Sequence, residues 1–209
     1  MDFRSLAGCA LAVLLCSCTG TSVKQTWKSP EFHRSPFTKI AVLAIDDRRS
    51  LRRDFESRFV TELGKGGATA ITTLDLLSLP EINQDKKAAA ARLRDAGAEA
   101  VVTLRLAASA SSFHEVRPAA ERYSDVITGT DTTGWYDYYS VAYMDMSPTY
   151  GSVKQHVFIE TSLFDLATAK RVWSGVTQTV LTETMDPVDQ IKPLAVKVVD
   201  AMRKDGVVP

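Results

Sequence analysis

The sequence predicts an α/β domain: a mixed sheet of about five strands with three helices, ordered β-α-β-α-β, then an antiparallel hairpin and a C-terminal helix. Three observations carry that prediction. "KIAVLAI", residues 39–45, is an uninterrupted apolar run of the kind found in strands covered on both faces. Strand-like and helix-like segments then alternate through residue 106, the order of right-handed crossover units. Between 155 and 181, two alternating segments flank "DLATAK", which marks a hairpin turning near Asp165 to Lys170.

The elements follow in order. After the first strand, Leu51, Phe55, Phe59 and Leu63 recur every four residues, which is one helix face. Ser50 is placed to cap that helix, and Gly64, Gly66 and Gly67 to stop it. "ATAITTL", 68–74, reads as a short second strand. Asp85 can cap a second helix with Ala89, Leu93 and Ala96 inward and Gly97 as its terminator. "AEAVVTLRLAAS" puts Val102, Leu104 and Leu106 on one side of a third strand. Residues 109–152, rich in Ser, Thr, Gly, Tyr and Asp, interrupt the pattern as a long insert, and inserts of that length are usually functional or mobile. In the last helix Asp186 fits the N-cap, Pro187 the first position and Asp189 the first turn. Val188, Ile191, Leu194, Ala195, Val198, Val199 and Met202 form its apolar stripe, which closes at Gly206. Pro193 either kinks this helix or delays its start by a turn.

The 209 residues are 45% hydrophobic and 24% charged, enough apolar material for one core. Lys plus Arg and Asp plus Glu both number 25, so no basic excess suggests nucleic acid. Arg48, Arg49, Arg52 and Arg53 cluster, but Asp46, Asp47 and Asp54 offset them; the group reads as a solvated loop and helix face.

The N-terminus differs from the rest. Arg4 precedes an apolar stretch from Leu6 to Cys16, too short to span a membrane but of the length of a secretory signal core. "LCSC", Leu15-Cys16-Ser17-Cys18, resembles the lipobox of bacterial lipoproteins. That resemblance implies cleavage between Ser17 and Cys18, removal of residues 1–17 with Cys9 and Cys16, and a diacylglyceryl group on the Cys18 sulfur with an acylated amine. Thr19, which is not Asp, implies sorting to the outer membrane, periplasmic face. One cysteine would remain, too few for an internal disulfide or a cysteine-based zinc site. Residues 18–36, polar and interrupted by Pro30 and Pro36, read as a lipidated N-terminus and tether, with Trp27 and Phe32 able to dock on the domain at 37–209.

"FTKIAVLAIDD", "AGAEAVVTLRL" and "VFIETSLFDLATAKRVWSG" together resemble a broad group of bacterial envelope lipoproteins. Their α/β domain is similar to the amino-terminal domain of TolB and to the curli secretion lipoprotein. The likeness spans about residues 37–205 apart from the insert. It implies binding to other envelope proteins or assembly with further copies, and it brings no catalytic residues.

The residues by themselves point away from catalysis. His33, His114 and His156 form no metal-ligand spacing, "GKGG" at 64–67 lies at a helix end and lacks phosphate-loop spacing, and there is no G-x-S-x-G elbow. Asp46 and Asp47 follow the first strand, where α/β proteins often place ligand groups, but they sit among arginines. The better candidates are Trp135, Tyr136, Tyr138, Tyr139 and Tyr143 in the insert. Such rings serve protein interfaces, pack on their own hairpin, or sit at a membrane surface. The expectation is therefore a non-catalytic, lipid-anchored protein-binding or assembly module. Cys18 is its lipidation site, envelope proteins are its partners, and it needs no metal and no cofactor beyond the covalent lipid. The alternatives are an oligomeric structural or secretion-channel accessory subunit, and an enzyme whose site is assembled from scattered residues.

Overall fold

A computed structural model describes residues 20–110, 155–182 and 185–209. Its strands are β1 (Thr21–Lys28), β2 (Lys39–Ile45), β3 (Thr69–Thr72), β4 (Ala100–Ala110), β5 (Gln155–Asp165) and β6 (Arg171–Leu181). Its helices are α1 (Arg49–Lys65), α2 (Leu79–Gln84), α3 (Lys86–Asp95) and α4 (Ile191–Lys204). The strands form one mixed sheet in the order β1-β6-β5-β4-β2-β3. β2 pairs in parallel with β3 and β4, and β4-β5-β6-β1 are antiparallel throughout.

The α/β class and the hairpin are as the sequence predicts, but among the described residues the sheet has six strands rather than about five, and there are four helices rather than three. The extra strand is β1, from the segment read as a tether. Its pairing satisfies the outer edge of β6, from Thr21 opposite Thr179 to Lys28 opposite Trp173. Lys24 at its bulge and Lys28 protect the new edge, and this polarity hides the strand from an apolar-pattern reading. Phe32 does dock: it is buried, with its ring 5.5 Å from that of Phe37.

The extra helix is α2, whose capping box at Ser78 and Glu81 is visible in "SLPE". Glu81 accepts hydrogen bonds from the Ser78 backbone N–H at 2.9 Å and from its hydroxyl at 2.8 Å, which hold its carboxyl below the ordinary 4.5. The cap therefore stabilises above the unfolded-state pKa and fades as pH falls through the folded value. Ser78→Ala should move the Glu81 pKa upward in an NMR titration; an unmoved carboxyl would remove the hydroxyl from this account.

Because β2 lies between helices on both sides, its run has no polar face. Ile40, Val42 and Ala44 join Phe59, Leu63, Leu104, Trp173, Leu194 and Val198 under α1 and α4. Ala41, Leu43 and Ile45 meet Leu79, Ile82, Ala89, Ala90 and Leu93 under α2 and α3. Trp173 is fully buried, and its indole lies over Gly175: a Cβ there would stand 2.5 Å from the ring. Gly175→Ala should cost about 1–3 kcal/mol in urea unfolding, since overpacking cannot be relieved by a flexible neighbour.

Several local expectations change. Arg48, not Ser50, occupies the N-cap position of α1 and makes no side-chain cap bond. Arg52 is buried, not part of a solvated face. Asp85 caps α3 as expected, accepting from Ala88 N at 2.9 Å, but Ala96 is exposed. Asp186 accepts from Val188 N, yet the turn at Pro187–Gln190 is 3-10, and Val188 is exposed outside the buried stripe. Pro193 falls in the first turn of α4, where its missing N–H costs no helical bond, so the start of the helix is delayed.

Candidate functional site

A cavity of about 160 Å³ opens at the end of the sheet where β2, β4 and β6 finish. Alternation on β4 turns Leu104 and Leu106 toward the α1/α4 side, and Val157 and Ile159 of β5 with Thr179 and Leu181 of β6 continue that floor. The N-terminal portions of two helices wall it: Leu51 and Phe55 from the first two turns of α1, Ile191 and Leu194 from the start of α4. The spacing read as one helix face on α1 therefore divides in two. Phe59 and Leu63 enter the core, whereas Leu51 and Phe55 are half-buried and line the cavity.

Charge at the rim is neutralised locally. Asp46 Oδ1 accepts from the Arg48 backbone N–H and Nε, each at 2.9 Å, and Oδ2 accepts from Nη2 at 2.7 Å. Asp47 is exposed and outside the lining, so the two carboxylates do not form an acid/base pair. A lining dominated by Leu, Ile, Val and Phe suits hydrocarbon, because pockets lined mainly by apolar side chains admit apolar ligands.

Beside the cavity a buried polar knot fixes α1 to the strand ends. Glu56 accepts from Thr73 N at 2.7 Å, Leu74 N at 2.8 Å, Ala44 N at 3.3 Å, Thr73 Oγ1 at 3.0 Å and Arg52 Nε at 2.7 Å. Arg52 Nη2 donates to Thr73 Oγ1 at 2.9 Å and to the Leu77 carbonyl at 3.0 Å. Ala44 also lines the cavity, so this knot sets where α1 stands over it. The sequence signal was an Arg and a Glu four residues apart on the stripe that carries Phe59 and Leu63.

Cys18 and Ser17 lie outside the described residues, as do Trp135, Tyr136, Tyr138, Tyr139 and Tyr143. Where their segments join the fold is nonetheless given. Thr21 pairs with Thr179, Thr179 with Val157, and Val157 with Ser109, one row across four strands. At about 4.8 Å per strand, Thr21 lies roughly 15 Å from Ser109. The described chain breaks off after Ala110 and resumes at Gln155, beside this row. The roots of the N-terminal segment and of the aromatic insert thus share the cavity end of the sheet.

His33 is exposed, and His156 on β5 meets the Gln178 side chain. Among the described residues no three or more His, Cys, Asp or Glu are grouped to hold a metal, and no helix is long and apolar enough to cross a membrane. "GKGG" ends α1, with Gly66 as C-cap and Gly67 at φ +93°.

No family model matches the chain, and no curated protein matches it. Solved structures similar to it include the PelC dodecamer from Paraburkholderia phytofirmans, at 15% identity and a TM-score of 0.48 over 86% of this chain and 94% of that one. Lipoprotein GNA1162 from Neisseria meningitidis is similar at 12% identity and a TM-score of 0.42, over 79% of this chain and 96% of that one.

Proposed function

We propose that this chain is a lipoprotein of the bacterial outer membrane, anchored through Cys18 with its domain on the periplasmic side. Its α/β domain is a non-catalytic module that binds envelope proteins at the membrane surface. One observation supports this reading above the others: the N-terminal segment and the aromatic insert leave the sheet on the same short row, Thr21 to Ser109. Because β1 begins at Thr21, only three residue steps separate it from Cys18. That is a reach of about 10 Å, where residues 18–36 fully extended would have given several times more. The cavity end would be held close to the bilayer, and Trp135, Tyr136, Tyr138, Tyr139 and Tyr143 would meet partners there. Confinement to the membrane raises the effective concentration of such partners.

Intact-mass analysis and membrane fractionation of the wild type beside Cys18→Ala test the anchor. The wild type should begin at Cys18, carry acyl mass and co-fractionate with outer membranes, and the variant should lose both properties. An unacylated wild type would refute the anchor. Crosslinked envelopes then compare the intact protein with a deletion of 131–150, and equal partner recovery would exclude the insert as the contact. A discrete multimer that resists detergent extraction would transfer the reading to an oligomeric structural subunit.

A further inference from the structure

We propose that the cavity between α1, α4 and the sheet seats one of the acyl chains carried on Cys18, an inference that rests on the lipid-anchor reading above. Gly20 is the first described residue, and its carbonyl accepts from Val180 N at 2.8 Å. A Cβ at Gly20 would lie 3.1 Å from the Val180 carbonyl oxygen and 3.5 Å from Gln190 Oε1, and Gln190 lines the cavity. Two residue steps separate Gly20 from Cys18, so their Cα atoms are at most about 7.6 Å apart. Gly20, two residues from the proposed lipid site, therefore lies beside a residue of the cavity rim.

The chemistry of the site fits that occupant. The lining is mostly aliphatic and aromatic, and its charged members are paired: Asp46 with Arg48, and Arg105 with the buried Glu160 at 2.7 Å. In volume the cavity is close to one known to accept benzene, so it takes about six carbons of a chain. Gln190 Oε1 is buried and has no hydrogen-bond partner among the described residues. An amide N–H of Thr19 or of N-acylated Cys18 would supply the donor it lacks. With three chains on Cys18, seating one leaves two in the bilayer, which satisfies the two-signal requirement for stable anchoring. The seated chain would also fix how the domain is turned toward the membrane.

The test is photocrosslinking of the full-length protein made in cells fed a fatty acid with a terminal diazirine. Intact mass before irradiation establishes whether Cys18 is acylated, which separates failure of the anchor from failure of the seat. After irradiation and digestion, the expected product joins the Cys18 peptide to peptides containing Leu104–Leu106 or Ile191–Leu194. Leu51→Trp, which fills the wall, should lower that product at least fivefold while lipidation and membrane fractionation persist. Crosslinks to these peptides from free phospholipid, or an acylated protein with no crosslink to the lining, would overturn the proposal.

Discussion

Glu56→Ala should lower the stability of the domain by about 3–5 kcal/mol, the cost of leaving a buried charge without its partner. Arg52, itself buried, would keep Thr73 Oγ1 and the Leu77 carbonyl but lose its counter-charge. In addition Leu74 N and Ala44 N would each lose their acceptor in a buried place, whereas Thr73 N keeps the Val42 carbonyl at 3.2 Å. These two amides make the effect asymmetric. Arg52→Met should be milder than Glu56→Ala, and pairing the two should recover only part of the loss, because the amides stay unsatisfied. Urea unfolding of the chain from Thr19 onward measures all three variants. A Glu56→Ala loss below about 1 kcal/mol, the level of an exposed pair, would show the knot to be dispensable.

Trp173→Ala should be comparably severe, about 3–5 kcal/mol for emptying a large aromatic site in a packed core. The indole is fully buried against the α4 stripe, and its Nε1–H donates to Asp205 Oδ2 at 2.7 Å. The loss would expose Asp205 as well as open a void. The same variant also explains Gly175: with the ring gone, the alanine Cβ meets no atom at 2.5 Å. In a double-mutant cycle the penalty of Gly175→Ala should therefore shrink sharply in the Trp173→Ala background. A penalty that stayed the same would mean that it arises from the backbone and not from the ring.

Local physics made much of this fold readable in advance. The β2 run, the Asp85 cap of α3 and the turn after Asp165 involve residues within a few positions of one another. The alternation of Val102, Leu104 and Leu106 and the stripe on α4 follow directly from strand and helix geometry. Strand β1 escaped because an edge strand needs no apolar alternation, only a partner with free backbone groups. The solvated reading of Arg52 failed because an Arg and a Glu one turn apart look alike on a surface and in a core. Ser78 and Glu81 were readable as a capping box, but the helix they start is too short to show a periodicity.

The sequence by itself determined the α/β class, the hairpin, the lipobox resemblance at Cys18 and the aromatic character of the insert, since each is written in neighbouring residues. Only the tertiary structure decided that these features converge. Thr21 and Thr179 share a hydrogen bond across 158 residues of chain, and that pairing replaces a long tether with a strand. It also sets Gly20 beside Gln190 and the cavity, and brings the root of the insert onto the same row of the sheet. Such contacts arise from closing the sheet's edge and covering its apolar face, which depend on the whole packed chain and leave no local trace in the order of residues.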